Sequence, residues 1–329
     1  MKILVIGGGW YGCHIALALK REGHEIVLNE ISDKLFSGAS GGNPARLHLG
    51  FHYPRSKLTR AACQEHNALF MHKYGFLTRC VPLNLYAIAS DESSMDFGTY
   101  SMLMKDELEC LRVHNPMEYG LHNVEGALLT TERHIVIEEA RKYFTTELGD
   151  TVVFGDLDQP REVFDVVIDC TFCANSTNGV QRYEPCMTVI LEGPAEKAVT
   201  IMDGPFPSIY PWNESKKLSS LTSAKFTPLA RCSTRAEAER IIADTPAVEI
   251  NNRAFEMWEQ MGTYLPEIYG VYNRVDVLLS IRAMPLSAAD ARLVDVACTG
   301  EKTVSVRAGK IDAVLYAEQL VKEKLKCLR

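Results

Sequence analysis

The sequence predicts an α/β protein, with a parallel-sheet domain that holds a dinucleotide and a second, mainly antiparallel β-sheet domain that takes substrate. Three observations predict it. The apolar run at residues 3–6 passes directly into Gly7-Gly8-Gly9-Trp10-Tyr11-Gly12 and then into helical spacing. From residue 187 to 230 the texture changes to short β-like runs separated by Gly, Pro, Asn and Ser. The 329 residues are 47% hydrophobic and 23% charged, which is enough apolar material for two real cores and excludes a disordered chain.

Residues 3–6 are apolar throughout, as a central strand covered on both faces must be. Residues 13–22 have helical spacing, with Ile15, Ala16 and Leu19 on one face and Gly23 as the stop. Residues 24–30 make a second strand, completing a βαβ unit. A Gly- and Ser-rich loop occupies 37–43. Residues 57–74 read as a helix ended by Gly75, and 83–89 as a strand. The pattern is weak from 91 to 125. A helix at 135–148 precedes strands at 151–154 and 166–169. Helices follow at 235–243 and 254–261, then a strand at 275–282 and a final helix at 309–324. With no repeat and no long linker, the chain is expected to cross between discontinuous domains: 1–82, 131–180 and 275–329 in one, 83–130 and 181–274 in the other.

The formal net charge of −7 argues against nucleic acid as a partner, because binding phosphates needs a basic surface. No segment has the apolar length of a membrane span or a signal peptide, so a cytoplasmic protein acting on a small-molecule substrate, away from membranes, is expected. Ten cysteines spread singly through a chain of this length are expected to be reduced thiols. The one close pair, Cys170 and Cys173, has no second pair and no adjacent His. It reads as packing thiols, and no metal site is expected.

Gly7, Gly9 and Gly12 match G-x-G-x-x-G in its required context, strand before and helix after. The first glycine permits the tight turn, the second lets backbone approach a pyrophosphate, and the third lets helix and strand pack closely. The phosphates would sit at the helix N-terminus, where free N–H groups and the dipole favour anions. Glu30 ends the second strand, where its carboxylate suits the two hydroxyls of an adenosine ribose and repels a 2′-phosphate.

Further along, Ser37-Gly38-Ala39-Ser40-Gly41-Gly42-Asn43 leads into Ala45-Arg46-Leu47-His48-Leu49-Gly50-Phe51-His52-Tyr53. Phe164 to Thr171 forms a later apolar strand, Ser280-Ile281-Arg282-Ala283-Met284-Pro285 contains an arginine, and Ala308-Gly309-Lys310-Ile311-Asp312 precedes the last helix. Over most of its length the chain resembles the D-amino-acid oxidase and glycine oxidase superfamily of FAD-dependent oxidoreductases, as a divergent member. The resemblance implies an FAD-binding Rossmann-like domain. It implies that the cofactor is held by Gly7, Gly9, Trp10, Tyr11 and Gly12, by Glu30, and by Ser40, Gly41, Asn43, Arg46, Leu47 and His48. Val153, Thr171, Gly309, Lys310 and Ile311 complete that set. Thr171-Phe172 stands where the family has Thr-Gly or Ala-Gly, and Ala283 where it has the first Pro of its Arg-Pro strand.

For chemistry, the resemblance implies that Arg282 clamps a substrate carboxylate, a role that suits the guanidinium fork. The alternative is an ion pair between domains. Arg46 falls where the family places basic residues beside the flavin; a salt bridge is its alternative. His48 and His52 share one side of the segment if it is extended, with Tyr53 on the other, and one of them lines the flavin face. Tyr210 lies in the substrate sheet and either covers substrate or belongs to the core. The expected activity is oxidation of a small C–N or C–O bond, in an amine, amino acid or hydroxy acid, with the substrate anionic. A monooxygenase or redox-neutral flavoenzyme acting on a larger biosynthetic substrate, or a dinucleotide-binding protein without turnover, are the alternatives.

Overall fold

The computed structural model describes residues 1–172, 181–285 and 294–328. A six-stranded sheet runs in the order β16-β17-β10-β1-β2-β9. Its strands are β1 (Lys2–Ile6), β2 (Glu25–Glu30), β9 (Val152–Phe154), β10 (Val166–Asp169), β16 (Asp295–Gly300) and β17 (Thr303–Arg307). All neighbours pair in parallel except β16 with β17. Ile3, Leu4 and Val5 are each 0% exposed, which explains why β1 is apolar at consecutive positions rather than alternating. Helices α1 (Trp10–Arg21), α3 (Lys57–Tyr74), α5 (Ile137–Leu148) and α9 (Val314–Cys327) share one hydrophobic core with this sheet.

An eight-stranded sheet runs β15-β11-β14-β13-β12-β5-β7-β6. It consists of β5 (Leu83–Ala89), β6 (Cys110–Val113), β7 (Val124–Thr130), β11 (Gln181–Glu192), β12 (Lys197–Met202), β13 (Pro207–Asn213), β14 (Leu218–Ser223) and β15 (Asn273–Pro285). It is antiparallel apart from β12 with β5. The helix α7 (Ala247–Tyr264) packs Met257, Trp258 and Met261 into a core shared with Val189, Val199, Ile209 and Leu221. On the other side α4 (Phe97–Glu107) packs Phe97, Tyr100 and Met104 around Phe51, Tyr86 and Ile88. The short α8 (Ile268–Val271) and α6 (Arg235–Asp244) complete this half. A small sheet of β3 (Arg46–Leu47), β8 (Arg133–Ile135) and β4 (Thr78–Cys80) bridges the halves.

Several expectations need correction. The strand expected at 275–282 in the dinucleotide domain is β15, which pairs with β11 along its full length and belongs to the other sheet. Strand membership depends on a partner almost a hundred residues away, which local pattern does not record. The weak stretch 91–125 contains α4, β6 and the first two residues of β7. The loop at 37–43 contains one helical turn, α2 (Ala39–Gly42), and the final helix begins only at Val314.

Candidate functional site at the junction of the two sheets

The glycine loop is shaped by contact. Gly7 has φ of +102°, and a Cβ on Gly12 would lie 1.8 Å from the Gly7 carbonyl oxygen. Neither position tolerates a side chain. Gly9 caps α1 without any side-chain bond, and the first turn carries no acidic residue, so the N-terminal N–H groups lack a carboxylate of their own. Glu30 accepts the Gly8 N–H at 2.7 Å and the Ser32 N–H at 2.9 Å, fixing its carboxylate beside the loop. Ser40 Oγ accepts the Trp10 N–H at 3.0 Å. A Cβ on Gly41 would fall 2.1 Å from the Phe36 oxygen, and Asn43 closes a turn by accepting the Ala45 N–H at 2.7 Å.

The Tyr11 hydroxyl donates to the Lys310 carbonyl at 2.5 Å and accepts the Gly309 N–H at 3.2 Å, tying residues 309–311 to the start of α1. Thr171 donates its amide and its hydroxyl to Asp169 Oδ1, and Val153 is half-buried on β9. Phe172, where the family has glycine, sits at φ +57°. Two of the expected cofactor ligands turn their side chains inward. The Trp10 ring lies among Phe36, Phe70, Tyr74 and Phe144, and Leu47 is 0% exposed. Neither side chain is available to a ligand, and the Trp10 N–H is already bonded to Ser40. Cys173 lies outside the described residues; Cys170 is a free thiol that burial pushes to high pKa.

At the junction with the large sheet, Arg46 reaches across to β12 and β13. It donates to Thr200 Oγ1 at 3.0 Å and to Ser208 Oγ, and its guanidinium lies 4.3 Å from the centre of the Tyr210 ring. The His48 ring is 5.7 Å from that of His52 and 5.8 Å from that of Tyr53. The segment is therefore not extended: Gly50 at φ +124° and a Tyr53 N–H to Gly50 carbonyl bond turn it back, so all three rings share one side. The Lys310 ammonium sits 3.6 Å from the Tyr53 ring centre and donates to Cys63 Sγ at 2.6 Å. Burial raises the Cys63 thiol to about 11, so it is a proton-bearing acceptor, not a nucleophile.

Behind His48 stands Glu132, which the sequence reading missed. It accepts the Tyr86 hydroxyl and the Leu49 N–H, each at 2.6 Å, and its Oε2 lies 3.7 Å from His48 Nδ1. Burial alone would raise its pKa, but His48, Tyr86 and Leu49 together hold it below the ordinary range. Burial lowers His48, which is therefore neutral near pH 7. Asp312 was also missed. It is 1% exposed and neither carboxyl oxygen has a hydrogen bond of good geometry, although the Asp312 and Ala313 amides lie near enough to favour the anion slightly. Burial raises it to about 7.

Two catalytic expectations are redirected. Arg282 donates both Nε and Nη2 to Glu184 Oε2, at 3.1 and 2.5 Å, across the β11–β15 pair. Its fork is engaged by an ion pair, but one within the large sheet and not the pair between domains that was the alternative. Tyr210 is 0% exposed, with its hydroxyl between Asn84 and the Arg133 carbonyl. It lies in the core, as its alternative reading had it, and supports Arg46 from below. A cavity of about 520 Å³ lies apart from these residues, lined by Phe36, Gly41, Arg141, Trp212, Arg235 and Ile281 among others.

The family model described as FAD dependent oxidoreductase (DAO) matches residues 2–135. The FAD-dependent monooxygenase FPY4 of Fusarium mangiferae is 34% identical to this chain over 330 residues, covering 96% of it and 89% of FPY4. The FAD-dependent monooxygenase kojA of Aspergillus flavus is 28% identical, covering 74% of this chain and 66% of kojA. Among solved structures, glycine oxidase from Geobacillus kaustophilus matches with a TM-score of 0.70 at 12% identity, over 98% of this chain and 93% of that one. NikD, titled an unusual amino acid oxidase, matches at 0.67 and 14% identity, over 96% and 92%. These two likenesses establish the fold. The residues here fit FAD: a glycine cradle that a Cβ would fill, an N-terminus of α1 without an acid, the Glu30 carboxylate beside it, and the unpartnered buried oxygens of Asp312.

Proposed function

This chain belongs to the family of FAD-dependent oxidoreductases, and from that premise we propose that it oxidises a C–O or C–N bond of a small anionic substrate by hydride transfer. Gly7, Gly9, Gly12 and the start of α1 would hold the pyrophosphate, and Glu30 the ribose. Bound FAD supplies the hydride acceptor. The observation that carries the reading is the cluster of Arg46, His48, Tyr53 and Lys310 gathered between the glycine loop and the large sheet. His48, kept neutral by burial and backed by Glu132, takes the proton released from the substrate hydroxyl or ammonium. Arg46 and Lys310 supply the positive charge that draws an anion.

A second reading has a specific support: both fungal relatives carry the name monooxygenase. Anaerobic mixing separates the two. The purified holoprotein is combined without oxygen with amines, amino acids and hydroxy acids while absorbance at the flavin band is followed. Bleaching by one class is the expected result. If only NADH or NADPH bleaches the flavin, and the product then carries an atom from labelled oxygen gas, the monooxygenase reading replaces the first.

A further inference from the structure

The two faces of the large sheet differ in chemistry although both are covered. On one face Val189, Leu221, Ile209 and Val199, in four adjacent strands, are each 0% exposed and share a core with α7. The alternate positions on those strands are Thr188, Thr222, Ser208 and Thr200. Ser208 stands opposite both Thr200 and Thr222, and Thr188 continues the row beside the Val189–Leu221 pair. Thr200 is 1% exposed, Thr188 5% and Ser208 8%, so these three face the interior, while Thr222 is half-buried and its hydroxyl shares a 3.2 Å hydrogen bond with Ser208. Buried hydroxyls on a sheet face cost free energy unless something polar lies against them.

Arg46 lies over this row and bonds two of its members. Those bonds use two of five guanidinium N–H groups. Among the described residues no carboxylate lies within 4 Å of it, whereas Arg282 has Glu184 and Arg60 has Glu107. Three acids of the junction are engaged: Glu132 by Tyr86 and Leu49, Glu184 by Arg182 and Arg282, Asp203 by Arg55. Asp312 is the exception, and it stands at the start of the last helix, where burial raises it to about 7 and disfavours its charged form. The site thus offers an anion a partner and a hydroxyl several partners, but among the described residues no carboxylate lies within 4 Å of Arg46 to receive an ammonium group beside it.

We propose that Arg46, not Arg282, binds the substrate's anionic group, and that the row Thr200, Ser208 and Thr222 selects a hydroxylated carboxylate over an amino acid. The proposal rests on the hydride-transfer reading above and narrows its substrate class from C–N or C–O to C–O. A guanidinium stacked on Tyr210 is held in one plane, so the carboxylate meets a fixed fork.

The experiment uses the FAD-loaded protein and four probes: glycolate, D-gluconate, glycine and glycerol. Perturbation of the flavin spectrum gives a Kd for each, and anaerobic bleaching reports turnover separately. The hydroxy acids are expected to bind at least tenfold more tightly than glycine or glycerol. Arg46→Gln should weaken gluconate binding by roughly thirtyfold or more, which is about 2 kcal/mol. Arg46→Lys should recover part of that loss, and Ser208→Ala and Thr222→Ala should each cost a few fold. FAD content should be unchanged in the Ser208, Thr222 and Arg282 variants, the Arg46 variants are compared at matched FAD loading, and Arg282→Gln should leave gluconate binding near wild type. Glycine binding as tightly as glycolate, no hydroxy acid binding the wild type, or Arg282→Gln abolishing binding while Arg46→Lys does not alter it would each overturn the proposal. Bleaching by an amine would overturn it while leaving hydride transfer standing. Tight gluconate binding without bleaching by any probe would support the Arg46 assignment and count against hydride transfer.

Discussion

Glu132 and Asp312 are buried to the same degree, each 1% exposed, and differ in everything else. Glu132 lies under His48 with two short hydrogen bonds and a nearby imidazole, and its pKa falls below the ordinary carboxylate range. Asp312 lies at the start of the final helix with both oxygens unpartnered, and its pKa climbs to about 7. Burial is common to both, so it does not decide the charge state; the presence of donors does. The first carboxylate is complete within the protein. The second is left for something the protein does not supply, and it sits beside the loop that Tyr11 ties to the glycine cradle.

The largest effect should come from emptying the completed site. Glu132→Ala leaves the Tyr86 hydroxyl and the Leu49 N–H buried without acceptors and should cost about 3–5 kcal/mol, read from chemical denaturation. A loss under about 1 kcal/mol would mean that Glu132 is not the anchor its bonds imply. The orphan should behave oppositely. Because its folded pKa lies above the ordinary value, the FAD-free protein holds a proton that the unfolded chain has released between about pH 4 and pH 7. Stability should therefore fall as pH rises through that window. Asp312→Asn should abolish this slope and stabilise the FAD-free protein at pH 8 by roughly 2–4 kcal/mol, with little change at pH 4. Denaturation midpoints at the two pH values decide it, and a flat wild-type profile would contradict the orphan assignment.

Two smaller effects sharpen the contrast. Glu132→Gln keeps the shape but removes the charge that raises the His48 pKa. The acid limb of substrate-driven flavin reduction should move to lower pH, because the neutral amide no longer favours the imidazolium. An unmoved limb would remove His48 from the proton path. Smallest of all, Lys310→Met removes the cation that lowers the Asp312 pKa. The upper end of the pH window for stability should then shift upward by a few tenths of a unit, visible in the same denaturation series.

The glycine cradle and Glu30 were legible because their geometry follows from spacing within one βαβ unit, and the two sheet types because alternation and punctuation are local signals. Glu132 was not legible. Its neighbours Thr130, Thr131 and Arg133 form no motif, and its partners Leu49 and Tyr86 reach it only through strand pairing across β5, β7 and the small bridging sheet. Arg282 was readable as an important arginine, but not as the partner of Glu184, because the β11–β15 register decides that contact. His48 and His52 share a side as alternation gives, but Tyr53 joins them instead of facing the other way, since one glycine at positive φ reverses the chain where alternation assumes a straight strand. Asp312 stood in plain view beside Gly309, but the absence of a donor is a property of three-dimensional surroundings that no sequence window contains.

The hydroxyl of Tyr11 joins residues 299 positions apart. That distance sets an order of assembly. At roughly 5–20 residues per second, the glycine loop leaves the ribosome some 15–60 seconds before Gly309 and Lys310 exist. Through that interval β1 can pair with β2, but neither β17 nor the clamp on the start of α1 is available. The nascent chain therefore carries an unfinished sheet edge and an open phosphate cradle until residues 303–310 are made. An edge unpaired for that long is open to other strands, and the cradle gains its clamp only when residues 309 and 310 reach Tyr11.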